Sequence, residues 1–217
     1  MNNIEKTIQY LQKLFEDSPY LKDKEDQKRY RLEHTYRVAS IARDVALKEG
    51  LHVEGAVIGA LLHDVSYIEE MKNNEERRNH GRRSAEIVRD FVKCLDLDDQ
   101  VKEELLYGIA IHVDDEAGYD GERTLLSELI GEADNIDRFD YYRLYEGLLY
   151  SDLDRMDVNK QMDFVQKRIE GLNGAKKYIF TTNTANDLWQ ERLDRQLAFY
   201  QGLVRQLKTT DPRQLIG

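Results

Sequence analysis

A chain of 217 residues can bury a sizeable core as one domain, or as one domain with a helical extension. Its formal net charge of -10 and pI near 5.1 repel phosphate backbones and anionic bilayers over most of the surface, which argues against a binder of duplex nucleic acid or of membranes. Cys94 is the only cysteine, so an intrachain disulfide framework is excluded, and it reads as a small core residue. The N-terminal MNNIEKTIQYLQ is too polar for a signal peptide, and no run approaches the roughly 18 apolar residues of a bilayer span, so the expected location is cytoplasmic. Only Pro19 and Pro212 interrupt the chain, which favours helices throughout.

In chain order, Ile4, Ile8, Leu11, Leu14 and Phe15 keep helical spacing and predict an amphipathic first helix ending near Ser18-Pro19, packed across the core as a lid or brace. Residues 22 to 31, KDKEDQKRYR, read as a solvated connector. The next helix has an apolar face of Leu32, Val38, Ile41, Ala42 and Val45, with His34 on that face and Arg37 one turn beyond it. EGAVIGALLHDVSYIE, from Glu54, is almost unbroken in its apolar run and carries the adjacent pair His63-Asp64 at the end of a buried helix. A buried carboxylate without a partner costs roughly several kcal/mol, so Asp64 needs a cation, dense hydrogen bonding or a metal.

Residues 71 to 80, MKNNEERRNH, lack periodicity and read as a loop closed by His80-Gly81. A helix over about 82 to 95 follows, with Arg82 and Arg83 in its first turn. Asp98 is the expected N-cap of a helix whose inner face runs through Val101, Leu105, Ile109 and His112. The acidic segment 113 to 122 lacks the ligand spacing of an EF-hand and reads as a surface loop. Thr124 caps a helix with Leu126, Leu129, Ile130, Ala133 and Asp134 inward and Arg138 one turn on. The remainder holds bundle helices in which Tyr141, Tyr142 and Tyr145 read as core. The domain reading is an N-terminal helix over 1–21, a metal-binding core over 22–140 and C-terminal helices over 141–217 that complete the same bundle.

Four of the five histidines, with two aspartates, fall at interior faces or helix boundaries: His34, His63, Asp64, His80, His112 and Asp134. As separate core residues, six buried polar groups would each need a private partner, whereas one metal centre satisfies them together. Mixed imidazole and carboxylate ligands suit manganese, iron, cobalt, nickel or zinc rather than calcium.

The order His34, then His63-Asp64, then Asp134 resembles the HD-domain superfamily of metal-dependent phosphohydrolases. LEHTYRVASIA, GALLHDV, HGRRSAEIV, IAIHV and EADNIDR carry the likeness over about residues 30 to 140, and NTANDLWQERLDRQLAFY is loosely similar to the closing helix of small bacterial members that hydrolyse nucleotides. The resemblance implies an all-α, single-domain helical bundle with a C-terminal helical extension, in which His34, His63, Asp64 and Asp134 hold one metal. His80 and His112 match the further ligands of two-metal members, where the aspartate of the pair bridges. One departure is visible: Val65-Ser66-Tyr67 follows the pair where many small nucleotide hydrolases carry an acidic and a basic residue.

The expected activity is therefore metal-assisted hydrolysis of a nucleotide or related phosphoester or phosphoanhydride, with one or two divalent ions as cofactor and a small phosphorylated molecule as partner. A homodimer is compatible with this. Asp64 is the expected bridge, and Arg37, Arg82, Arg83 and Arg138 are the expected phosphate contacts, Arg37 and Arg138 nearest the chemistry. Two other readings share the residues: a di-iron oxygenase of the inositol-oxygenase type, which uses the same six ligands, and a bundle that senses a nucleotide without turnover.

Overall fold

The computed structural model describes residues 1–113 and 118–210 and is all-α, with ten α-helices and no strand among those residues. It divides into two compact units, Met1–Asp137 and Arg138–Gly217.

In the first unit, α1 (Asn3–Glu16) is started by a reciprocal cap. The Asn2 carboxamide accepts from the Glu5 N–H at 2.8 Å and the Glu5 carboxylate accepts from the Asn2 N–H at 2.9 Å. Its fully buried stripe is Asn3, Thr7, Leu11 and Phe15, one position off the row of isoleucines expected to face inward. Two contacts tie it to a later segment of the unit: Tyr10 stacks on Phe91 at 3.9 Å between centroids, and Asn3 donates to the Asp96 carbonyl at 2.9 Å.

The expected connector is instead the start of α2 (Glu25–Glu49). Lys28 is buried because it is held between Glu16 and Glu25, each at 3.0 Å, so this charge run pairs inward as well as facing solvent. After Gly50 comes α3 (Val53–Leu62), capped by exposed His52, whose Nδ1 accepts the Gly55 N–H. Every residue from Gly55 to Leu62 is buried, which makes α3 the axis of the unit. Burial of Ile58 and Leu62 contributes roughly 2 kcal/mol each and seats the end of α3 firmly.

A 3-10 turn (Val65–Ile68) follows Asp64. The predicted loop beyond it contains a short helix, α4 (Asn74–Arg78), capped by Asn73 and without a buried residue, so no apolar period announces it. Next are α5 (His80–Lys93), α6 (Asp99–Ile111) and α7 (Leu125–Arg138). Asp98 stands at the N-cap of α6 but makes no side-chain cap bond, while Thr124 Oγ1 does accept the Ser127 N–H at α7. Cys94 is exposed, contrary to expectation, because α5 buries Ala85, Val88 and Val92 and residue 94 turns off that stripe. Of the acidic segment, residues 114–117 lie outside the described residues.

The second unit holds α8 (Tyr141–Leu149), α9 (Val158–Ala175) and α10 (Asn183–Lys208), with α9 and α10 packed on each other. Its buried stripe on α10 is Trp189, Leu193, Leu197 and Tyr200, and the Trp189 ring meets Phe139 and Phe180 at 4.7 and 5.1 Å. The three tyrosines read as core are exposed, and α8 buries no residue at all. Helical spacing gave α8 an apolar face, but spacing does not say whether another element covers it.

Candidate metal centre

His34 comes from the buried face of α2, His63 is the C-cap of α3 with Asp64 next to it, His80 is the first residue of α5, His112 is the C-cap of α6, and Asp134 lies on the inner face of α7. Helix ends suit this purpose, because a terminal side chain can turn across the end of its helix. All six side chains are buried.

Their polar atoms converge. His34 Nε2 is 3.2 Å from Asp134 Oδ1 and 3.7 Å from Asp64 Oδ2, and His63 Nε2 is 3.7 Å from Asp64 Oδ1 and 4.0 Å from Asp134 Oδ1. On the other side, His80 and His112 Nε2 lie 3.0 and 3.6 Å from Asp64 Oδ1. Three overlapping triads result, each compact enough to share an ion: His34, His63 and Asp64; His63, His112 and Asp134; Asp64, His80 and His112. Spacings of this order suit donors that each reach an ion from roughly 2 Å.

The hydrogen bonds on the far side of each ring fix which nitrogen faces inward. Nδ1 of His63 lies 2.7 Å from the Ala60 carbonyl, Nδ1 of His80 2.6 Å from that of Arg77, and Nδ1 of His112 2.8 Å from that of Ile109. A carbonyl only accepts, so each Nδ1 donates a proton outward and each Nε2 is the nitrogen turned to the cluster. His34 has the corresponding bond to a carboxylate, with Asp137 Oδ2 at 2.8 Å. Asp137 in turn accepts from Arg37 Nε at 2.9 Å. Imidazoles oriented through Nδ1 in this way are ready as metal ligands.

Two consequences test the fit of a cation. His80 Nε2 and His112 Nε2 stand 3.0 Å apart, two nitrogens that a cation beside them would satisfy together. His63 Nε2 is buried with no hydrogen-bond partner. A buried acceptor left in that state costs about 1–3 kcal/mol, which a metal ion would remove. The residues therefore fit divalent metal.

Electrostatics divides the histidines. Burial opposes a charge on His34, but its hydrogen bonds to Asp134 and Asp137 outweigh that and push its pKa up to about 9. Burial dominates at His63 and lowers its pKa to about 4. Burial also opposes the Asp64 charge, yet His63, His112 and His80 hold this carboxyl well below the usual range, so it stays an anion.

Arg31 was hidden in the supposed connector. Its Nη1 donates to Asp64 Oδ2 at 3.1 Å, and its guanidinium lies 3.3 Å over the Tyr67 ring. A signal was present, since Arg31 precedes His34 by three residues and shares its helix face. Asp137 was also missed, although it follows Asp134 by three. Among the arginines read from sequence, Arg37 lies behind His34 on Asp137; Arg82 is held by Asn79; Arg83 makes a two-pronged ion pair with Glu69 and a further one with Glu86 on the surface; and Arg138 is exposed at the end of α7.

The family model of the HD domain matches residues 31–139, just over half of the chain. The chain belongs to the HD-domain family. The HD match contains all six converging residues together with Arg31, Arg37 and Asp137. Among curated proteins none matches the sequence. The crystal structure of a predicted HD superfamily hydrolase from an uncultured Thermotogales bacterium is similar over 94% of this chain and 93% of that one, with a TM-score of 0.64 and 18% identity, a likeness of fold. No helix among the described residues is long and apolar enough to cross a membrane.

Proposed function

We propose that this HD protein is a metal-dependent phosphohydrolase acting on a nucleotide or a related small phosphoester or phosphoanhydride, with His34, His63, Asp64 and Asp134 holding one divalent ion and His80 and His112 joining Asp64 at a second. The observation that carries this reading is the position of Asp64. Its Oδ2 lies near His34, while its Oδ1 lies near His80 and His112 and also 3.7 Å from His63, so one carboxylate reaches ligands of both sets.

Divalent ions held here supply Lewis acidity, which makes a water more acidic and neutralises charge on a phosphoryl group. The chain's own groups do the rest. Asp137 keeps His34 in the tautomer that leaves Nε2 to the cluster, and the Ala60, Arg77 and Ile109 carbonyls do the same for the other three rings. Arg31, with about a quarter of its side chain exposed, offers a cation between solvent and Asp64 where an anionic substrate would approach. Tyr67 restrains that guanidinium by stacking, so it is oriented before an anion arrives. Arg37, held by Asp137 behind His34, is proposed as a second phosphate contact, and Arg82, Arg83 and Arg138 as further candidates by their sequence position beside the ligands.

The test combines elemental analysis of freshly purified protein with a hydrolysis screen on nucleotides and phosphate monoesters in the presence of Mn2+. Transition metal in the protein and phosphate release in the screen are expected. Binding of nucleotides without release at saturating metal would replace the enzyme by a sensor.

A further inference from the structure

Asp64 and His80 approach to 3.0 Å from opposite ends of the intervening segment 65–79, which includes a helix without a buried residue. His80 is moreover the first residue of α5, whose N-cap, Asn79, makes no side-chain cap bond. First turns without a cap leave backbone donors open and fray readily. Something else must hold His80 against Asp64.

Two buried serines make that connection. The Ser66 N–H donates to Ser84 Oγ at 3.0 Å, Ser84 Oγ–H donates to Ser66 Oγ at 3.0 Å, and Ser66 Oγ–H donates to the His80 carbonyl at 2.9 Å. Both side chains are fully buried, so no water competes for these bonds. The same 3-10 turn is tied from the other side by Ser18, whose hydroxyl donates to the Ile68 carbonyl at 2.6 Å. The backbone just after Asp64 is thus bolted to the residue that presents the His80 ring.

We infer that Ser66 and Ser84 are positioning residues for the second metal position: by holding the His80 carbonyl they set the distance from His80 to Asp64 and so control the occupancy of the His80–His112 side, while the ion at His34, His63, Asp64 and Asp134 keeps its ligands, Asp64 being held separately by Arg31. This rests on the two-ion arrangement of the preceding section. His34, His63 and Asp134 are carried by α2, α3 and α7, none of which is bound to the serine pair. A loss of the lock therefore acts on one side of Asp64.

The experiment titrates metal-free full-length protein with Mn2+ alone by equilibrium dialysis, reading bound metal against free, with Tm recorded for each variant. The parent is expected to bind two ions. Ser66→Ala, which removes the bond to His80, should weaken the second ion roughly 10- to 100-fold and leave the first unchanged. Ser84→Ala keeps the hydroxyl on His80 and should act in the same direction by a smaller factor, and it remains readable where Ser66→Ala does not fold. Ser127→Ala, an equally buried serine that bonds only around Thr124, should lower Tm with both ions at parental affinity. Folded serine variants that bind both ions like the parent, or that weaken both equally, overturn the inference. A parent that binds a single ion overturns the two-ion arrangement itself, and the inference with it.

Discussion

His80 and His112 turn their Nε2 atoms toward each other at 3.0 Å while each commits Nδ1 to a backbone carbonyl. Both rings thus turn the same nitrogen toward Asp64 Oδ1, where they would share a cation. Replacing both by glutamine should lower bound metal from about two ions per chain to about one and reduce hydrolysis steeply, with the fold retained. Elemental analysis of the folded double variant checks this, and a metal content equal to the parent's would return both residues to structural roles.

Asp64→Ala should abolish metal retention and hydrolysis together. It should also destabilise the metal-free chain by roughly 3 kcal/mol, because Arg31 and the facing histidines lose their counter-charge. Asp64→Asn, which keeps the volume, separates charge from packing. Full activity in either variant would remove Asp64 from the centre.

The opposed pKa shifts give a pH signature. His34, raised to about 9 from 6.5, contributes stability that is fully present below pH 6.5 and is lost as pH rises through about 9. His63, lowered to about 4, is protonated in the unfolded chain first, so its contribution is lost as pH falls from 6.5 to about 4. These two groups place the stability maximum of chelated protein near pH 6.5, measurable as Tm across the range. Metal must also displace the His34 proton, so apparent Mn2+ affinity should climb about tenfold per pH unit up to about 9. A flat affinity between pH 6.5 and 9 would exclude His34 from the ligand set.

Arg31→Ala should cut kcat/KM about 10- to 100-fold through loss of one charge-assisted contact, with metal content equal to or above the parent's, since Asp64 Oδ2 is released. Arg31→Lys should recover little, because lysine neither forks nor stacks on Tyr67. A variant that loses its metal while its KM is unchanged would make Arg31 a support of the centre instead.

Turnover with Mn2+ under strict exclusion of oxygen separates hydrolysis from dioxygen chemistry, for which the same six side chains would serve. Phosphate release without oxygen is expected. Absolute oxygen dependence, with iron required and no phosphate released, would favour an oxygenase.

The helical fold and five of the six converging residues were legible because His34, His63, Asp64, His112 and Asp134 lie on or at the end of an apolar stripe that helix geometry turns inward, while His80 was legible only as the residue at the entrance of a helix. Arg31 and Lys28 were not, since a run of charges looks the same whether its members meet solvent or find partners such as the exposed Glu16 and the buried Asp64. Helix α4 was hidden because it buries nothing, and the exposure of Tyr141, Tyr142 and Tyr145 was hidden because a periodic pattern offers a face without naming its cover. Cys94 was misplaced for a simpler reason: a small residue next to a buried stripe differs from one within it by a single rotation of the helix.

The wall behind His112 is built from missing atoms. A Cβ at Gly81 would come within 2.7 Å of the Ile109 carbonyl and 2.9 Å of His112 Nδ1, and one at Gly131 would lie 3.2 Å from the His112 Cα. Three main chains thus meet around one imidazole with no room to insert a methyl group. Alanine scanning, designed to subtract, would here add a carbon, and at Gly81 that carbon pushes the α5 backbone off α6 and carries His80 with it. Gly81 is therefore a place where the smallest change of composition should do disproportionate harm, although it has no side chain to offer an ion or a substrate.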